Sequence, residues 1–322
     1  MRPSFKSALE SRFGRKPAST PSPQVPKPTG RNVPLQGIIG YPITPFASDG
    51  TVDLAKYRKL LERLIRSGVH AVAPLGSTGV LPYLSDLERE SIVAATMEQV
   101  DRRVPVMIGV SALTTERVVH HARFAERQGA AAVMIIPMSY WKLTDEEIYL
   151  HYDTVARAIS VPIMAYNNPA TGGLDMTPEF LAKLVKIPNV TMVKESTGDV
   201  NRLYRLVEAA GDEVAFYNGS NPLALDAFIA GAKGWCTAAP NLIPQLNLDL
   251  YTAITKGNLP EALKIFRKQL PLLQFVVEGG LPRTIAAGLE VLGIDPGYLR
   301  APLLDLPDAD KEKLAKILKG LK

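Results

Sequence analysis

Cysteine is almost missing from this chain. Cys236 stands alone, so no internal disulfide can form, which fits a reducing compartment and leads us to expect a cytoplasmic protein. Long apolar runs are missing too: no stretch approaches the ~18 uninterrupted apolar residues of a membrane span, and no membrane partner is expected. The first apolar run leads into Ile43-Thr44-Pro45-Phe46 rather than a Gly-rich dinucleotide turn, and no Walker-type phosphate loop follows elsewhere. Histidines are few, and His70, His120, His121 and His151 lack ligand spacing beside Cys or acidic partners, so no metal is expected. Acidic residues are scarce in one place only. Residues 1–32 set Arg2, Lys6, Arg12, Arg15, Lys16, Lys27 and Arg31 against Glu10 alone, so this segment carries more than the whole formal charge of +5. The remaining chain is close to neutral, which argues against a nucleic-acid partner for the folded part. With six prolines and several serines, residues 1–32 read as a loose basic arm.

What is present is a regular alternation. Short apolar runs fall near residues 37–42, 69–75, 104–110, 131–137, 161–166, 190–194, 213–217 and 232–237. Between them lie amphipathic stretches, several opened by Ser, Thr or Asp caps, among them Thr144-Asp145-Glu146-Glu147 with the form of a capping box. Eight strands alternating with helices predict an α/β fold, a (β/α)8 TIM barrel over 33–257, followed by a small helical region over 258–322.

In such a barrel the working residues sit at the C-terminal strand ends. Lys194 ends the apolar run Val190-Thr191-Met192-Val193, where a side chain can shed its water and present an amine to a carbonyl. The ordinary alternative is a lysine that snorkels to water or pairs with a carboxylate; adjacent Glu195 points to the opposite face. Tyr166 ends the run before it and offers a phenol at the equivalent height. After the second run, Gly76-Ser77-Thr78-Gly79 forms a turn whose N–H and hydroxyl groups suit a carboxylate. Tyr140 and Trp141 follow the fourth run, where they are as well suited to covering a rim or a subunit contact as to catalysis.

Taken together, Thr44-Pro45-Phe46, Gly76-Ser77-Thr78-Gly79, Tyr166-Asn167-Asn168-Pro169, Lys194-Glu195-Ser196-Thr197-Gly198 and Gly231-Ala232-Lys233-Gly234 with Asn241 and Pro244 form a specific series. In their order and separations the chain resembles the dihydrodipicolinate synthase / N-acetylneuraminate lyase family from about Gly37 to Pro307. The resemblance implies that Lys194 forms an imine with pyruvate or a related 2-oxo acid, that Tyr166 shuttles the proton and that Ser77 relays it. It implies that Ser77 and Thr78 hold the 2-oxo carboxylate. It further implies that Tyr140 completes the relay from a neighbouring subunit of a homotetramer, and that no cofactor beyond the imine is used.

The series also departs from the family pattern. Synthases of the lysine pathway carry an arginine at the position of Thr171, where it grips the second substrate's carboxylate, and one hydroxyl cannot replace a bidentate charged grip. Val80 and Asn218-Gly219-Ser220-Asn221 replace acidic residues frequent in relatives. The stretch from Gly234 to Asn241, with Cys236 as a candidate substrate contact, resembles the branch acting on keto-deoxy sugar acids; Trp235 suits a core role equally well. The leading expectation is a Schiff-base lyase acting on a 2-oxo or keto-deoxy acid by aldol cleavage, condensation or dehydration. The alternatives are 4-hydroxy-tetrahydrodipicolinate synthase, a non-catalytic ligand-sensing barrel, and a barrel binding phosphate near Gly219-Ser220.

Overall fold

A computed structural model describes residues 35–211 and 214–321, so the basic arm expected over 1–32 lies outside the described residues. Its eight parallel strands are β1 (Gly37–Gly40), β2 (Ala71–Val72), β3 (Met107–Gly109), β4 (Ala132–Ile135), β5 (Ile163–Asn167), β6 (Val190–Glu195), β7 (Ala215–Asn218) and β8 (Gly234–Thr237). They pair in the order 2-1-8-7-6-5-4-3. A parallel bridge between Val72 and Val106, with the Val72 N–H donating to the Pro105 carbonyl at 3.1 Å, joins β2 to β3 and closes the ring. The expected (β/α)8 TIM barrel is the fold that forms.

Helices α1 (Leu54–Arg66), α2 (Asp86–Val100), α3 (Thr115–Arg127), α4 (Asp145–Ala158), α5 (Pro178–Leu184), α6 (Val200–Ala210), α7 (Ala224–Ile229) and α8 (Pro244–Thr255) surround it. Three more follow: α9 (Leu259–Glu278) along α8, α10 (Leu281–Val291) and α11 (Asp308–Gly320). The helix starts obey local chemistry. Ser85 with Glu88 and Thr144 with Glu147 make reciprocal capping boxes, while Asp53, Thr114, Thr177 and Asp199 cap their helices singly.

Strand β2 is shorter than the apolar run that predicts it, for a backbone reason. Pro74 has no N–H to give the ladder, and Leu75 turns into the left-handed region at φ 58°, which ends the strand. That turn brings the Leu75 carbonyl so close to β3 that a Cβ at Gly109 would sit 1.8 Å from it, so only glycine fits there. Trp235 is fully buried with its indole N–H on Asn221 Oδ1 at 3.2 Å, the core role open to it from sequence.

Arg300, in the segment leading to α11, closes over the rim. Its guanidinium lies 4.2 Å from the Phe46 ring centroid, donates to the Gly50 and Tyr83 carbonyls, and grips Glu88 through both carboxylate oxygens at 2.6 and 2.8 Å. Arg300, aided by the Ser85 N–H and hydroxyl, overcomes burial and holds the Glu88 carboxyl down at about 2. A depressed carboxyl stabilises the folded state fully above its ordinary range, and that contribution is lost as pH falls toward about 2. Glu88→Gln is therefore expected to cost on the order of 1–2 kcal/mol at neutral pH, after allowance for partial exposure. Denaturant unfolding of both proteins at pH 7 and pH 3 should show the difference shrinking with acid; a difference that grows would refute the assignment.

Candidate active site

The register of the barrel brings the two principal candidates together. Tyr166 on β5 and Lys194 on β6 are direct partners in adjacent parallel strands, so their side chains leave the sheet on the same face. Both are buried, and the Lys194 Nζ lies 3.9 Å from the centroid of the Tyr166 ring. Among the described residues no carboxylate pairs with Lys194; Glu195, its neighbour in the chain, turns outward to Asn167 and Arg202. The ion-paired alternative for Lys194 is thereby removed. A glycine at 219 is needed beside it, because a Cβ there would meet Lys194 Cε at 2.7 Å and Ser196 Oγ at 1.8 Å.

The Tyr166 hydroxyl accepts from Asn168 Nδ2 at 2.8 Å. Burial pushes its ionisation up, but the Lys194 ammonium and the side chains of Asn168 and Ser77 outweigh that and bring it below the ordinary phenol value. Ser196 stands close enough to add to the same field, while its buried Oγ finds no partner in hydrogen-bond geometry. A phenol shifted in this direction gives up its proton more readily than one in water.

Ser77 and Thr78 lie in a turn held by its surroundings. Leu75 and Val80 flank it, both in the left-handed region at φ 58° and 50°, a conformation costing on the order of 1–3 kcal/mol for residues with a bulky side chain. Thr44 Oγ1 donates to the Gly79 carbonyl at 2.8 Å. The buried guanidinium of Arg89 ties the following segment down through the Leu81, Leu84 and Ser111 carbonyls at 3.0, 3.2 and 2.9 Å. Among the described residues, no acceptor takes the Ser77 and Thr78 N–H groups. Two free amides in a rigid turn next to a phenol and an amine can receive an anion.

Tyr41, which follows β1, had no place in the sequence reading. Its ring lies 4.4 Å from Lys194 Nζ on the other side from Tyr166, and its hydroxyl donates to Met134 Sδ at 3.3 Å. Burial and the neighbouring Cys236 thiol hold its ionisation well above the usual value, so it stays a neutral wall of the site. A phenol before a proline at a strand end carries no local mark; only β1 lying beside β8 brings it to Cys236. Cys236 itself is buried, and burial raises its thiol against the opposing pull of Lys194 and of the Tyr41 side chain.

Two other candidates stand apart. Thr171 is exposed on the helical turn Pro169–Gly172, its N–H bonded to the Asn168 carbonyl at 3.1 Å, with no guanidinium in the place a carboxylate grip would need. Tyr140 is 89% exposed and stacks edge-on with Trp141 at 5.5 Å, so within one chain it does not meet Tyr166. The phosphate alternative loses one donor, since the Ser220 N–H is taken by Asn218 Oδ1 at 3.0 Å. No helix among the described residues is long and apolar enough to cross a membrane.

Comparison with known proteins gives a single direction. The chain is 31% identical to a 4-hydroxy-tetrahydrodipicolinate synthase of Syntrophobacter fumaroxidans over 89% of its length and 98% of the relative's. Among solved structures, a candidate dihydrodipicolinate synthetase of Pseudomonas aeruginosa is 52% identical and superposes with a TM-score of 0.88, covering 89% of this chain and all of that one. A chloride-inhibited dihydrodipicolinate synthase of Acinetobacter baumannii, solved with pyruvate, is 28% identical with a TM-score of 0.84, over 89% and 98% of the two chains. The model of the dihydrodipicolinate synthetase family matches residues 34–321. Since that match runs through the barrel and its C-terminal helices alike, the chain belongs to the dihydrodipicolinate synthetase family.

Proposed function

We propose that this enzyme, a lyase of the class I type to which its family belongs, condenses Lys194 with a 2-oxo acid, pyruvate or a keto-deoxy acid, and works through the resulting imine. The observation that carries the proposal is the contact of Lys194 Nζ with the Tyr166 ring at 3.9 Å, both side chains buried and no carboxylate pairing with the amine among the described residues. The amine adds to the C2 carbonyl and water leaves, giving an iminium that draws electrons from C3. Loss of a C3 proton, or cleavage of the bond beyond C3, then yields an enamine rather than a free carbanion. The imine is the electron sink, so the chemistry calls for no cofactor. Tyr166 moves the proton, and the Ser77 side chain helps to lower its ionisation.

The free N–H groups of Ser77 and Thr78 suit the 2-oxo carboxylate, and Cys236 and Tyr41 line the opposite wall. The exposed pair Tyr140 and Trp141 suits burial against a second subunit, with Tyr140 reaching the relay of its neighbour in a homotetramer. A lone buried cysteine and a small polar substrate fit work in the cytoplasm.

For the second half of the substrate, Thr171 in place of a guanidinium favours a hydroxylated, uncharged group, as in keto-deoxy sugar acids. Aspartate semialdehyde, the second substrate expected of a 4-hydroxy-tetrahydrodipicolinate synthase, is the competing reading, supported by the names of relatives about a third identical. Following pyruvate release from a panel of keto-deoxy acids, against product formation from pyruvate with aspartate semialdehyde, separates the two. Turnover of a keto-deoxy acid with none of the semialdehyde supports the first reading, and the reverse result overturns it.

A further inference from the structure

One register step beyond Tyr166 and Lys194, the strands carry a second pair that the chemistry above leaves unused. Asn167 and Glu195 are direct partners on β5 and β6, and alternation turns them away from the mouth, into the layer between strands and helices. Asn167 is fully buried and Glu195 nearly so. Asn167 Nδ2 donates to Glu195 Oε2 and to Asp175 Oδ1, each at 3.1 Å, while its Oδ1 accepts from the Met176 N–H at 2.9 Å. The other carboxylate oxygen of Glu195 accepts from the Thr197 N–H at 2.7 Å. Arg202, from α6, donates to Glu195 at 3.3 Å, to Asp175 at 2.9 Å and to the Met176 carbonyl at 2.6 Å.

One buried carboxylate thus gathers the ends of two strands, the loop after each and the helix behind them. Stability does not require such an arrangement, since a packed apolar group of similar volume is as good as a buried ion pair or better. What a directional network adds is a fixed register and fixed loop paths. Here they are fixed one residue beyond the amine and the phenol, in the strands that carry them.

We infer that Asn167, Glu195 and Arg202 are positioning residues that set the separation of the Tyr166 hydroxyl and Lys194 Nζ, and through it the rate of proton transfer at the carbon beside the imine. The inference rests on the imine reading above. A displacement of about 1 Å at reacting groups is enough for a loss on the order of 100-fold, so a network that holds strand ends is kinetically visible.

The test uses Glu195→Gln, with Arg202→Lys as a second variant that keeps the charge and loses the planar fork. Two readouts are taken on the full chain: borohydride trapping with pyruvate, which needs only the imine, and deuterium exchange of the pyruvate methyl protons by NMR, which also needs the proton carrier. Both variants are expected to trap to completion while exchange falls about 10-fold or more. Placed in a Tyr166→Phe background, Glu195→Gln should remove less than about a further 2-fold, because the two changes act on one step. Unchanged exchange in either folded variant overturns the inference, as does an undiminished further loss in the Tyr166→Phe background, which marks a general structural role. A wild-type protein that neither pyruvate nor a panel of keto-deoxy acids can trap overturns the imine reading beneath it, a result distinct from trapping that proceeds with exchange unaltered.

Discussion

Tyr166→Phe is expected to slow turnover by about 100-fold or more while the barrel stays folded. The ring is what packs: it is buried beside the Lys194 amine, and phenylalanine keeps that contact and its cation–π attraction. The hydroxyl is what is lost, and with it the acceptor for Asn168, whose side chain is only partly buried and can turn to water at small cost. Imine formation should therefore survive, since the amine and the candidate carboxylate turn are untouched. Proton movement should not, because among the described residues no other ionisable hydroxyl whose proton is loosened in this way meets Lys194: Tyr41, across the site, is held well above the ordinary phenol value. Steady-state kinetics beside borohydride trapping check this. Unchanged turnover removes Tyr166 from the mechanism, and loss of trapping together with turnover would mean that the phenol serves the imine step instead.

Lys194→Ala and Lys194→Met are expected to abolish turnover altogether, since no substitution by another residue supplies an amine at that point of β6. The methionine variant carries a second expectation. Lys194 is 5% exposed and has no carboxylate partner among the described residues, so its amino group sits in the barrel mouth without an ionic counterpart. Replacing it by an uncharged side chain of similar length should leave the melting temperature unchanged or raise it by a few degrees, on the order of 1 kcal/mol, the usual exchange of stability against activity at such sites. Calorimetry with turnover assays reads both. An inactive protein that melts far below the wild type would show that Lys194 is needed by the fold, and residual turnover in Lys194→Ala would exclude it as the nucleophile.

The alternation of apolar and amphipathic segments is a local property, and it was enough to predict all eight strands and their helices. Strand lengths were not, because the end of β2 depends on Leu75 accepting a left-handed backbone that apolar content does not reveal. Lys194 and Tyr166 were legible because each ends an apolar run, and the resemblance of the motifs around them pointed the same way. Tyr41 was not: its ring comes under the amine only because β1 pairs with β8, a contact between the two ends of the barrel. The pair Asn167 and Glu195 belongs to the same class: alternation alone turns Glu195 away from Lys194, but only the strand register and the helix behind it show that Asn167 and Arg202 receive it there. Tyr140 marks the other limit, for a residue 89% exposed in one chain has its proposed role at a surface outside that chain.

Sodium borohydride added in the presence of pyruvate, with intact mass followed by peptide mapping, tests the whole account most directly. Reduction should fix one pyruvate-derived group per chain on the peptide carrying Lys194, and none on Lys194→Ala. Labelling at a different lysine, or none with pyruvate and a panel of keto-deoxy acids, would contradict it.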